Sequence, residues 1–102
     1  MRLPPALAAQ ATTEVLRLLD DPPGRVLEVH FAGIHATPLR LAGFDVDVLD
    51  DDPRALERAG TVVDRPSGRY DAVVAPADAD LAGIDAGRTI LVGADGNVYM
   101  EA

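Results

Sequence analysis

The chain has 102 residues, 48% of them apolar with only two Phe and two Tyr, so it can bury one core built from Val, Leu, Ile and Ala. Its formal charge is −8, with all nine basic residues Arg, most of its seventeen acids Asp, and no Cys. Disulfides, thiolate chemistry and cysteine zinc sites are excluded, and without a basic cluster nucleic acid is not an expected partner. No run of about 18 apolar residues occurs, so no membrane partner is expected and the expected location is cytoplasmic.

The charge bias has two readings. A Lys-free, Asp-rich surface suits a protein of halophilic archaea, where solvated carboxylates are screened by concentrated salt. A GC-rich genome, which favours Arg, Ala, Gly, Pro and Asp, accounts for the same bias.

Taken in chain order, Ala6 to Leu19 place Leu7, Ala11, Val15 and Leu18/Leu19 three to four residues apart, with Glu14 and Arg17 opposite. That spacing predicts one amphipathic helix, and its periodicity favours a folded helix over a cleaved signal. Asp20-Asp21-Pro22-Pro23-Gly24 ends it in a turn. Val26 to Val29 are apolar nearly throughout, as in a strand buried on both faces. A long loop follows, His30 to Ala36, because Pro38 cannot sit in a helix interior. Thr37 as cap with Pro38 in the first position is the expected start of a short helix ending at Gly43.

Asp45 to Leu49 form the second strand, and Asp52 caps a helix opened by Pro53 and stopped by Gly60. Thr61 to Val63 are a short third strand, Tyr70 to Ala75 a fourth and Arg88 to Val92 a fifth. The twelve residues Pro76 to Gly87 are little more than the minimum for a parallel crossover. The end reads as a hairpin around Ala94-Asp95-Gly96-Asn97.

Val26-Leu27-Glu28-Val29, Leu41 to Val46 and Val48 to Ala59 carry a family likeness. They resemble class I S-adenosylmethionine-dependent methyltransferases, whose first strand ends Val-Leu-Glu/Asp-Val before Gly-x-Gly-x-Gly. Tyr70-Asp71-Ala72-Val73-Val74-Ala75-Pro76 is similar to the family's fourth strand, and about three-quarters of the chain is covered. The resemblance implies a single α/β domain, 1–102, with a mostly parallel Rossmann-like sheet in the order 3-2-1-4-5-6. A C-terminal antiparallel strand closes it, and the helices lie mainly on one face. It implies that Asp50 meets ribose hydroxyls, that Asp64 falls near the adenine, and that Glu28 and Gly33 belong to the cofactor loop.

The departures concentrate in that loop. Aligned from Glu28, the three glycine positions hold His30, Ala32 and Ile34, or Gly33 takes the third because the segment to Asp50 is about one residue short. Glycine there lets the backbone approach a ligand, so His30 and Ile34 put bulk where the family has none. Phe31 either stacks on an adenine or packs in the core. Glu28 either orients a ligand amine or bonds loop amides. His30 and His35 lack a recognised metal-ligand spacing. Asp50-Asp51-Asp52 could chelate Mg²⁺, but a strand end and a helix cap account for two of the three. No metal and no catalytic residue is therefore assigned, and no Ser-His-Asp arrangement occurs.

Later helices are missing, so one sheet face is expected to be largely bare, which a monomer rarely tolerates. The expected function is a non-catalytic methyltransferase-like domain, an assembly or regulatory module forming a homodimer or meeting a protein partner through that face. The alternatives are a small-ligand protein binding S-adenosylmethionine or a nucleotide, and a methyltransferase completed by a partner. No cofactor is expected; S-adenosylmethionine is the one that the resemblance implies.

Overall fold

The protein is described by a computed structural model covering residues 5–19, 21–22, 24–59 and 62–101. In chain order its elements are α1 (Pro5–Leu18), β1 (Arg25–Val29), α2 (Ala36–Leu41), β2 (Asp45–Leu49) and α3 (Pro53–Ala59). There follow β3 (Arg69–Tyr70), β4 (Ala72–Pro76), β5 (Asp85–Ala86), β6 (Thr89–Val92) and β7 (Val98–Glu101). The main sheet runs β2-β1-β4-β6-β7, parallel except for the β6–β7 hairpin. This is the minimal Rossmann-like α/β sheet expected from the sequence. Its third strand is reduced to one parallel bridge, Val63 to Leu49, outside β2. Gly60 and Thr61, expected as helix stop and strand start, lie outside the described residues.

All three helices pack on one sheet face. Val26, Val46, Val48, Val74 and Ile90 meet Ala11 and Val15 of α1, Leu39 of α2 and Ala55 of α3. The small residues let the helices approach the sheet closely, and each fully buried Val, Leu or Ile contributes about 1.5–3 kcal/mol. Thus the aromatic-poor composition gives a mostly aliphatic helix–sheet layer, to which Phe31 and Phe44 add the aromatic side chains. No described helix is long and apolar enough to cross a membrane.

The second face is not bare, and here the expectation is corrected. Leu27, Val73 and Leu91 are at most 6% exposed. They lie under Tyr70 and the 77–87 connection, which lays Ala79, Leu81 and Ile84 across them without a helix. The connection is fastened by a small second sheet, β3 paired in parallel with β5. Tyr70, expected inside the fourth strand, leaves it to join β3.

Its partners explain why. The Tyr70 hydroxyl donates to Asp47 Oδ2 at 2.8 Å and accepts the Ser67 amide at 3.1 Å. Asp47 also pairs with Arg25 at 3.0 Å, and that guanidinium stands 4.2 Å over the Tyr70 ring. A fully buried Tyr with a bonded hydroxyl takes the place of the missing helices. Among the described residues, the most exposed large apolar side chains are Leu41, Leu56, Tyr99 and Met100, on α2, α3 and β7.

Candidate functional site

Open α/β sheets bind ligands beyond the carboxyl ends of their strands, which places a site after β1 and β2. The chain leaves β1 through His30, Phe31, Ala32 and Gly33. His30, Ala32 and Gly33 have φ of 61°, 53° and 79°. The loop thus follows a glycine-type path with side chains on two of its three left-handed residues. Each such non-glycine residue costs about 1–2 kcal/mol.

Neighbouring carboxylates hold the strained loop in place. Asp50 Oδ2 accepts the Ala32 amide at 2.7 Å while Oδ1 accepts the Asp52 amide at 3.0 Å. Glu28 Oε1 accepts the His35 amide at 2.9 Å. Phe31 turns into the core, 2% exposed, with its ring edge-on to His35 at 4.9 Å. The packing reading of Phe31 and the loop-amide reading of Glu28 are the ones realised. Ala32→Gly is expected to raise stability by about 1 kcal/mol by removing the left-handed penalty. A higher urea midpoint with unchanged slope is the readout, and a lower midpoint contradicts the strain assignment.

Helix α2 starts two residues earlier than the sequence suggests. His35, not Thr37, is its N-cap, and it makes no side-chain cap bond. The Glu28 carboxylate, on the helix-covered face of β1, accepts the cap residue's own amide. Pro38 is tolerated in the first turn, where its absent N–H has no intrahelical partner to lose. The cap of α3 is as expected: Asp52 Oδ1 accepts the Arg54 amide at 3.0 Å. Hydrogen bonds from Arg54 hold the Asp52 carboxyl down to about 2.

What remains open is a groove of about 510 Å³ lined by His30, Leu49, Asp50, Asp51, Val63 and Asp64. The structure thus brings Asp50 and Asp64 together and adds His30, half-exposed, with Nδ1 3.9 Å from Asp50 Oδ1. It does not bring Glu28 or Gly33 to the groove. Glu28 is fully buried beneath the loop. Gly33 faces α3, where an added Cβ would stand 3.3 Å from the Ala55 carbonyl oxygen and from Ala59 Cβ. Ligand-capable atoms of His30, Asp50 and Asp51 lie within 4.8 Å of one another. Asp50 commits both oxygens to amides, which accounts for its position without an ion.

These residues do not fit S-adenosylmethionine as a whole. The Ala32 and His35 amides, on the loop that would cradle it, are taken by the protein's own carboxylates. His30 also occupies the first glycine position with a side chain that lines the groove.

Sequence reasoning missed the burial of His35, whose Nδ1 lies 2.6 Å from Thr12 Oγ of α1. Nothing local marks it, since its partners lie on α1 and β1. The Tyr70–Asp47–Arg25 cluster was missed as well; the one signal was an acid, Asp47, inside a buried strand. Fold and site together define a minimal Rossmann-like α/β domain whose loop after β1 is bonded to the protein's own carboxylates. Compared with known proteins, the chain matches no family model, no curated protein and no solved structure.

Proposed function

We propose that the chain is a non-catalytic, methyltransferase-like domain that acts as an assembly or regulatory module. One observation carries the reading. Glu28 and Asp50, the carboxylates nearest the cofactor loop, are turned onto that loop's own amides, so the floor is satisfied without a ligand. With the second sheet face filled, the contact surface moves to the outer edge of β7. Among the described residues β7 pairs only with β6. The Gly93 amide donates to Asn97 while the Val92 carbonyl faces β4. The alternation along the hairpin therefore aims the backbone groups of Val98 and Met100 outward. Tyr99 and Met100 are each 45% exposed there. A bare edge of this kind pairs with a second copy.

The groove between Asp50 and Asp64 favours a second reading, a small-ligand binder. One set of experiments separates the two. Light scattering should give a dimer, lost in Met100→Pro, which removes an outward N–H without touching the β6 ladder. Calorimetry with S-adenosylmethionine and S-adenosylhomocysteine should give no heat up to millimolar ligand. A monomer that binds either compound, more weakly after Asp50→Ala than after Asp51→Ala, overturns the assembly reading in favour of the ligand one.

A further inference from the structure

The carboxyl ends of β1 and β2 bring an imidazole and two carboxylates to one place. The parallel register pairs Val29 with Leu49, so the next residues, His30 and Asp50, leave the sheet side by side. The His30 amide still donates to the Leu49 carbonyl at 3.1 Å, which holds the two chain ends together. Ligand-capable atoms of His30, Asp50 and Asp51 lie within 4.8 Å of one another, on the groove that Asp64 also lines.

A second observation, the charge of Asp50, asks for a cation at the same point. The Asp50 side chain is 7% exposed, and its two hydrogen bonds come from the Ala32 and Asp52 amides, which carry no charge. Those amides explain where the carboxylate sits without neutralising it. Arg54 of α3 feels Asp50 at longer range, but its guanidinium is bound to Asp52. Among the described residues the ion-pair partner of Asp50 is the His30 ring. At 3.9 Å it is beyond hydrogen-bond reach, and it is charged only when protonated. Asp51 and Asp64 add two more acids to the groove. Buried charges in proteins are paired or coordinate metals. A carboxylate has about four acceptor sites, so two amide bonds leave Asp50 free to take a metal bond as well.

We propose that His30, Asp50 and Asp51 bind one divalent first-row transition ion at the rim of the groove, with Zn²⁺ the ion that suits the set best. An imidazole beside carboxylates favours Zn²⁺ over Mg²⁺, which takes oxygen ligands and keeps its waters. Metal–ligand bonds of about 2.1 Å put neighbouring ligand atoms about 3–3.5 Å apart, so the set closes by about 1–2 Å on binding. His30 and Asp51 are exposed and can make that movement, while Asp50 is held by its amides. Three protein ligands leave a coordination position for water or an oxygen ligand. Because Asp50 also accepts the Ala32 amide, the ion fastens the loop after β1 to the end of β2. The inference goes beyond the assembly reading and does not depend on dimerisation.

Calorimetry on protein dialysed against a chelator, with Zn²⁺ and Mg²⁺ in turn at physiological salt, provides the test. One Zn²⁺ per chain is expected, bound about tenfold or more tighter than Mg²⁺. His30→Ala and Asp50→Asn should each weaken Zn²⁺ binding by about tenfold or more. Asp45→Asn, at the opposite end of β2, removes the same charge and should change binding by less than about threefold. In nitrogen NMR of labelled protein, Zn²⁺ should shift the His30 ring and leave the buried His35 ring unmoved. Several weak sites per chain, Mg²⁺ bound as tightly as Zn²⁺, Asp45→Asn as damaging as His30→Ala, or an unshifted His30 ring would each overturn the proposal. His30→Ala, at a half-exposed side chain, and the parent NMR titration decide the matter if Asp50→Asn does not fold.

Discussion

Glu28→Gln is expected to turn a flat dependence of stability on pH into a steep one. In the parent chain two buried groups oppose each other. Glu28 is raised to about 7 on folding, so the stability it contributes is fully present below its unfolded value and is lost as pH rises through 7. His35 is lowered to about 4, so its contribution is present above its unfolded value near 6.5 and is lost as pH falls through 4. Between about pH 4.5 and 6.5 the slopes have opposite sign and nearly equal size, about 1.4 kcal/mol per pH unit each. Glu28→Gln keeps a donor in place and removes one slope. Stability should then fall by about 3 kcal/mol as pH drops from 6.5 to 4.5. His35→Gln should do the reverse, gaining about as much over the same fall. Denaturant titrations at constant ionic strength supply the measurement. A Glu28→Gln profile as flat as the parent's would contradict the assignment of both groups.

Tyr70→Ala should cost about 3–5 kcal/mol, the range for deleting a buried aromatic side chain. Tyr70 is fully buried, and three links end on it: its hydroxyl to Asp47, the Ser67 amide to its oxygen, and the Arg25 guanidinium over its ring. Removing it also leaves Asp47 without its hydroxyl donor. The variant should expose Leu27 and Val73 and self-associate more than the parent, visible in light scattering at matched concentration. Tyr70→Phe separates the terms, since it keeps the ring and removes only the hydroxyl, at about 1–3 kcal/mol. Equal losses in the two variants would count against the ring's role as a cover.

The strands were legible because their signals are local. DVDVL, AVVAP and TILV are short apolar or alternating runs bounded by Gly, Pro and Asp. The final turn carries Asp95-Gly96-Asn97, and Asp95 accepts the Asn97 amide as such a turn requires. Asp50 and Asp64 were singled out by the family resemblance, and both line the groove. What was not legible depends on partners far along the chain. The start of α2 is set by Glu28, seven residues back on another element. The departure of Tyr70 from the fourth strand is set by Asp47 and Arg25, on two other strands. The left-handed residues His30 and Ala32 gave no signal, because neither is a residue type that seeks that conformation.

The strand order has a consequence for how the chain is made. β1 is an interior strand of the sheet, yet Val26 waits for Ala72, forty-six positions later, before its second edge is paired. During synthesis the N-terminal half can close one layer, α1 to α3 over β1 and β2, while Leu27 and Val29 still face water. Their cover, Tyr70 to Ala86, and the second partner strand, β4, come only with the last third of these residues. Late, long-range pairing of this kind slows folding and leaves an adhesive intermediate. The nascent chain is therefore at its most vulnerable to self-association between the release of β2 and the arrival of β4.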